Sequence, residues 1–194
     1  MEQTIHAILS RRSIRKYKPI QISEEELEIL LEAGMYAPSG GNCQYTHFTV
    51  VQKPETLRTL KVIVEQVFSK MEITENMYKS KAHTIQMAQR GNYDFIYSAP
   101  TLVIVTNKRG HGNAMADSAA AIENILLAAT SMNIGSCWIN QLTWISDNEV
   151  LREALRGFGV PDDEIVCGSI ALGYSDQLTA KAQPRKEGRI RFVR

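Results

Sequence analysis

Apolar positions along the chain switch between helical spacing and short unbroken runs, and those switches outline its elements. Ile5, Ile8 and Leu9 share one face of a short predicted helix from Thr4 to about Ser10. Ser23-Glu24-Glu25-Glu26 reads as a capping box: the serine accepts from the third helical amide and Glu26 reaches back. It opens a helix with Leu27, Leu30, Leu31 and Met35 as its stripe and Gly34 near its end. The three acids of its first turn favour the positive end of the helix dipole. His47 to Gln52 predicts a strand, ended by Lys53-Pro54, and a helix follows from about Glu55 to Lys70. Residues 71–95 are polar with scattered Met87, Tyr93 and Phe95, and read as helical. Thr101 to Thr106 is an unbroken apolar run, the mark of a strand covered on both faces. Ala114 to Met132 predicts the longest helix, ended by Ile134-Gly135 before a short strand from Ser136 to Ile139. A second capping box, Ser146-Asp147-Asn148-Glu149, starts a helix carrying Leu151 and Leu155, and Ile165 to Leu172 is another buried strand. The tail ends in an alternating Arg189-Ile190-Arg191-Phe192-Val193, which reads as a terminal strand.

Strands alternating with helices, without repeats or a linker, make residues 1–194 one α/β (α+β) domain with helices on both faces of its sheet. The 194 residues are 44 % hydrophobic and 22 % charged, ordinary globular values that argue against disorder. Twenty-two basic against twenty-one acidic side chains leave a net charge of +1, which disfavours a nucleic-acid module or a polybasic membrane binder. The longest apolar runs fall far short of the ~20 residues of a membrane helix. An acid at Glu2, with arginines after the first apolar stretch, is the wrong polarity for a signal peptide. Three scattered cysteines (Cys43, Cys137, Cys167) suggest reduced thiols in the cytoplasm rather than disulfides or a zinc site. Gly110-His111-Gly112 and Gly157-Phe158-Gly159 lack the third glycine of a dinucleotide fingerprint, so a nucleotide here would not bind by the Rossmann route.

Charge placement changes the picture that net charge gives. Residues 11–18 hold five cations and no acid, and residues 181–194 hold six cations and one acid. Basic runs usually face water without a partner. A phosphate monoester supplies the alternative, since its oxygens match the forked donors of Arg11, Arg12, Arg15 and Arg185 with the Ser13 hydroxyl alongside. In Pro38-Ser39-Gly40-Gly41-Asn42-Cys43-Gln44 the glycines permit close backbone approach to a flat ligand. Asn42 and Gln44 offer paired donors and acceptors for a polyol or a uracil-like edge. A simple helix-ending turn explains the same loop.

Five segments in order resemble the FMN-dependent nitroreductase family. They are Arg11-Arg12-Ser13-Ile14-Arg15, the loop from Ala37 to Gln44, Asp117 to Ala129 leading into Ile134 to Ile139, Ile170-Ala171-Leu172-Gly173-Tyr174, and Pro184-Arg185-Lys186. The resemblance implies a three-layer sandwich around a mostly antiparallel sheet, with the C-terminal strand a candidate for exchange in a homodimer. It implies FMN as cofactor and NADH or NADPH as electron donor. Arg11, Ser13 and Arg185 match phosphate-binding positions. Arg15 matches a cation near the pyrimidine edge that stabilises the reduced flavin, and Arg12 a position beside the ring. Pro38, Ser39, Gly40, Asn42 and Gln44 match the loop against the ribityl chain and ring. Ile139 and Asn140 correspond to the backbone near flavin N5, and Gly173 to the approach to the phosphate. Two departures stand out: Gln44-Tyr45-Thr46-His47 replaces a common Gln-Pro-Trp, and Gln183 stands where some relatives carry lysine.

The implied activity is hydride transfer from NAD(P)H to flavin N5 and then to a small oxidised acceptor, a nitroaromatic, quinone or activated alkene. The donor and acceptor take turns at one face, a ping-pong cycle that needs no protein nucleophile. Alternatives on the same scaffold are reductive dehalogenation and enone reduction; from another class, a non-catalytic module binding an anionic ligand. Residues 66–95 read either as a lid over the flavin or as a polar surface helix. Cys43 reads as a small buried hydrophobe, and Trp138 and Trp144 as core anchors.

Overall fold

A computed structural model describes residues 3–178 and 181–194. The polarity read at Met1 and Glu2 falls outside them. The chain runs through α1 (Gln3–Ser10), α2 (Glu24–Met35), a 3-10 turn (Gly40–Asn42), β1 (His47–Val51), α3 (Pro54–Ser69) and α4 (Lys79–Arg90). It continues through β2 (Thr101–Lys108), α5 (Ala114–Ser131), β3 (Gly135–Ile139), α6 (Gln141–Trp144), α7 (Glu149–Gly157) and β4 (Glu164–Gly173). The strands form one antiparallel sheet in the order β1-β2-β4-β3.

The unbroken apolar run in β2 is explained by its two covered faces. Leu102 and Ile104 join one core with Leu60, Val64 and Phe68 of α3, Ile85 of α4 and Leu151 of α7. Val103 and Val105 join the other with Leu27 and Leu30 of α2 and Ile122 and Ile125 of α5. The result is the expected three-layer sandwich, helices on both faces of an antiparallel sheet.

Within α2 the inward stripe is Leu27, Leu30 and Gly34, whereas Met35 is 64 % exposed and Leu31 only partly covered. Gly34 takes the stripe because a Cβ there would lie 2.9 Å from Ile125 Cδ1 and 3.0 Å from Phe48 Cζ. Gly34→Val is expected to destabilise the fold by about 1–3 kcal/mol through overpacking, read as a lower urea midpoint at unchanged slope.

Several local expectations are corrected. The first capping box forms as predicted, with Ser23 and Glu26 exchanging both bonds. In the second, Asn148 is the cap, accepting from Val150 and Leu151 amides, while the Ser146 hydroxyl accepts from the Val166 amide in β4. Satisfying a buried strand amide outweighs a solvated cap. Of residues 71–95 only α4 is helical, and Phe95 is fully buried in the core rather than placed as a lid residue. The Tyr93 hydroxyl also turns inward, to Gln141 and Thr84. Arg189 to Val193 is not a strand within one chain; Ile190, Phe192 and Val193 are 73–95 % exposed.

Candidate active site

The basic segment after α1 lies along β3, the edge strand. The Ile14 amide donates to the Ser136 carbonyl at 2.9 Å, and Ser13 bridges Ser136 in parallel. Ile14 is buried beneath, so the alternation of extended chain turns Ser13 and Arg15 outward. Arg11 Nε lies 3.5 Å from Glu123 Oε1. Arg12 Nη1 donates to the Leu9 and Arg11 carbonyls at 2.9 and 2.7 Å, closing the end of α1. Arg15 stacks its guanidinium 5.8 Å from the centre of the Tyr97 ring. No carboxylate among the described residues lies within ion-pair distance of Arg15. Burial pushes the Cys137 thiol up, while Arg15, Ser13 and Arg11 act in the opposite direction. Ser13 and Arg15 thus flank buried Ile14 at this edge, with Arg11 two residues before Ser13 and turned to Glu123 of α5.

Arg15 depends on a turn that local preference disfavours. Tyr97 and Ser98 both have positive φ, 56° and 57°, a conformation uncommon for bulky residues and held only where the surroundings over-determine it. Asp94 does this: Oδ1 accepts from the Ile96 amide (3.2 Å), and Oδ2 from the Ser98 amide (2.8 Å), the Ser98 hydroxyl (2.7 Å) and Lys61 Nζ (2.7 Å). Burial alone would raise the Asp94 pKa, but Lys61 and Ser98 hold it below its ordinary value. Beneath Arg15, the Tyr17 hydroxyl donates to the Ile14 carbonyl at 2.7 Å, and burial pushes its pKa up.

The glycine loop is built separately. Gly41, Asn42 and Gln44 all have positive φ (62°, 54° and 51°), and the Gln44 side-chain amide donates to Asn42 Oδ1 at 3.1 Å. The Gln44 backbone amide donates to Ser39 Oγ at 3.1 Å. Pro38, Asn42 and Gln44 are exposed, and Ser39 and Gly40 half-buried. The Gly40 amide donates to Asp117 Oδ1 at 3.0 Å, tying the loop to the first turn of α5. The hydrogen bond with His111 holds the Asp117 carboxyl below its usual range, burial opposing it and the Gly40 amide reinforcing it.

Ile139 is buried at the end of β3, and Asn140 is the N-cap of α6. Gly173 is buried where a Cβ would lie 2.7 Å from Pro100 Cδ and 3.2 Å from Tyr17 Cδ1, so close packing by itself accounts for the glycine. Arg185 is exposed in the tail.

One chain therefore brings Arg11, Ser13 and Arg15 together and, separately, Pro38 to Gln44. Helix α5 carries both groups, Asp117 under the loop and Glu123 against Arg11, six residues or about 9 Å apart along its axis. A cleft of about 810 Å³ is lined by Arg12 alone of the predicted residues, with His6, Ser10, Thr130 and Asn133. A cleft of about 520 Å³, beside Lys61 and Ser98, is lined by none of them. Tyr97, Asp94, His111 and Asp117 were not singled out as site residues, because their roles rest on contacts across the fold. The Asp94-to-Ser98 turn carries no glycine or proline to betray its backbone.

The model of the Nitroreductase family matches residues 8–174. A protein of Archaeoglobus fulgidus, provisionally named NADH dehydrogenase/NAD(P)H nitroreductase, is 34 % identical over 90 % of this chain and 86 % of its own. The FMN reductase (NADPH) of Bacillus subtilis is 25 % identical over 95 % of this chain and 70 % of its own. Among solved structures, a nitroreductase with bound FMN from Bacteroides fragilis is 38 % identical, with full coverage of both chains and a TM-score of 0.89. With the family model spanning most of the chain and the fold shared from end to end, this chain belongs to the nitroreductase family.

Proposed function

We propose that this chain is an NAD(P)H-dependent FMN oxidoreductase that reduces nitroaromatics, quinones or related small acceptors, donor and acceptor using one pocket in turn. The observation that carries the reading is the run of Arg11, Ser13 and Arg15 laid beside the β3 edge, with Arg15 facing no carboxylate among the described residues. Arg11 and the Ser13 hydroxyl fit a phosphate monoester, and β3, paired with Ser13 at its start, leads at its far end into Ile139 and Asn140. FMN, when bound, supplies the hydride chemistry; the protein orients it and tunes its charge. Arg15, held over Tyr97, is the cation placed to stabilise negative charge on the reduced ring. The exposed Asn42 and Gln44 side chains serve the polar ribityl chain and ring edge, held in position by their left-handed backbone.

The separation of the loop from the basic segment favours a homodimer that completes each site from two copies. Exposed Met35, Tyr36 and Met115, at the ends of α2 and α5 beside the loop, and the apolar tail Ile190, Phe192 and Val193 are the surfaces a second copy would cover. Arg185, on that tail, joins the phosphate site in this arrangement. Among the described residues no helix is long and apolar enough to cross a membrane, and the proposed setting is the cytoplasm.

The test begins with colour. Purified protein should be yellow or take up added FMN, bleach anaerobically with NADH or NADPH, and recover colour with a nitroaromatic or quinone. Parallel double-reciprocal plots are expected. Protein that binds no FMN overturns the reading, and intersecting plots overturn the alternating use of one pocket.

A further inference from the structure

Beside the glycine loop, three side chains bring a sulfur, a nitrogen and an oxygen within 4.0 Å of one another. Cys43 caps the 3-10 turn, His111 stands in the turn before α5, and Asp117 lies in the first turn of α5. Cys43 Sγ is 3.5 Å from His111 Nε2, His111 Nε2 is 3.0 Å from Asp117 Oδ2, and Cys43 Sγ is 4.0 Å from Asp117 Oδ2. A zinc ion at ~2.3 Å from sulfur and ~2.0–2.2 Å from nitrogen and oxygen has tetrahedral edges of about 3.3–3.6 Å. The three separations bracket those edges, so shifts of a few tenths of an ångström would close the triangle on an ion.

We propose that Cys43, His111 and Asp117 form a divalent metal site selective for zinc-like ions, with its fourth position open to water. The donor set decides the class of ion. A thiolate and an imidazole disfavour magnesium and calcium, which take oxygen, whereas thiolate, imidazole and one carboxylate suit zinc. The surroundings orient the ligands. Asp117 Oδ1 is held by the Gly40 amide, which leaves Oδ2 for the ion. The Tyr45 ring packs edge-on against the His111 ring at 5.3 Å, with Lys108 Nζ over its other side. Support of this kind outside the ligands sets ring orientation and affinity.

Binding replaces protons rather than bonds. The Cys43 thiol, now donating to the Gly40 carbonyl at 2.8 Å, releases its proton to solvent as sulfur turns to the ion. His111 binds through Nε2 as neutral imidazole, carrying its proton on Nδ1. The ion then clamps the loop holding Ser39, Asn42 and Gln44 onto α5, through a bond stronger than the present contacts. The sequence argued against a zinc site because its three cysteines are scattered, and His111 and Asp117 lie 68 and 74 positions from Cys43. Nor is Cys43 the small buried hydrophobe its sequence suggests, for it is half-exposed and faces polar partners.

The experiment uses the full chain, free of affinity tag and stripped with a chelator, then dialysed against Zn²⁺ or Co²⁺. About one ion per chain is expected, with the visible bands of tetrahedral Co²⁺ and a thiolate charge-transfer band. Cys43→Ser and His111→Gln should each weaken binding by at least about 100-fold, with folding verified by circular dichroism. A second measurement needs no variant. Cys43 is the one half-exposed cysteine, since Cys137 and Cys167 are buried, so Zn²⁺ but not Mg²⁺ should slow its alkylation by at least about tenfold. Substoichiometric binding, a Co²⁺ spectrum without the thiolate band, binding retained in Cys43→Ser, or unchanged alkylation overturns the proposal. None of these readouts uses flavin or turnover, so they are separate from the test of the oxidoreductase reading.

Discussion

Replacing Arg11 and Arg15 together by alanine is expected to weaken FMN binding by roughly two to four orders of magnitude while the chain stays folded. A charge-assisted bond, from Arg11 to the phosphate or from Arg15 to the ring edge, is worth about 1.5–3 kcal/mol, and 1.4 kcal/mol is about tenfold in affinity. Against this, the Arg11 pair with half-exposed Glu123 contributes about 0–1 kcal/mol to folding, and the Arg15 stack on Tyr97 about 0.5–1 kcal/mol. Binding therefore suffers far more than stability. Titration of FMN fluorescence, with a thermal melt of the same variant, separates the two. Arg185→Ala, which removes one cation from the tail, should follow in the same direction with a smaller loss. An affinity within about tenfold of wild type in the double variant would remove the phosphate from this segment.

Asp94→Ala carries the largest expected cost to stability, about 2–4 kcal/mol. The part-buried Ile96 amide and Lys61 ammonium lose their acceptor at about 1–3 kcal/mol each, whereas the exposed Ser98 amide can turn to water. The left-handed pair Tyr97 and Ser98 also loses the group that holds it, so Arg15 loses its platform and FMN binding should fall too. Folding lowers the Asp94 pKa, so the ionised form carries the contribution. It is complete above the ordinary value of 3.8 and fades as pH falls through the lower folded value. The stability gap between wild type and Asp94→Ala, measured in urea, should narrow in acid. A gap unchanged down to the acid limit of folding would show that the carboxylate charge is not what holds the turn.

Both predictions rest on residues of unequal visibility. Arg11, Ser13 and Arg15 stand out in sequence as cations and a hydroxyl without an acid between them, and the fold lays this segment along β3. Asp94 and Tyr97 carry no such mark, because nothing in Asp94-Phe95-Ile96-Tyr97-Ser98 betrays the left-handed pair at its end until the hydrogen bonds of Asp94 are seen. Gly34 was legible as a glycine but not as the contact point of α2 with α5. The Ser146 capping box failed for the same reason. Local chemistry fitted, but a buried amide 20 residues away made the better use of the hydroxyl. Cys43, His111 and Asp117 were each visible, and only folding made them neighbours.

The sequence by itself determined most of the elements and the two buried strands, since periodicity, caps and unbroken apolar runs are properties of neighbours along the chain, and its five ordered motifs carried the resemblance to the family. It also marked Arg11 and Arg15 in the short extended segment that follows α1, whereas Arg185 stands exposed in the tail. Tertiary structure decided what those residues meet. It divided the candidate binding residues between two places along α5, set Tyr97 under Arg15, and turned Tyr93 and Phe95 inward. It also brought a thiol, an imidazole and a carboxylate to one point. Each of these depends on distances between residues far apart in sequence, which packing sets and periodicity does not encode.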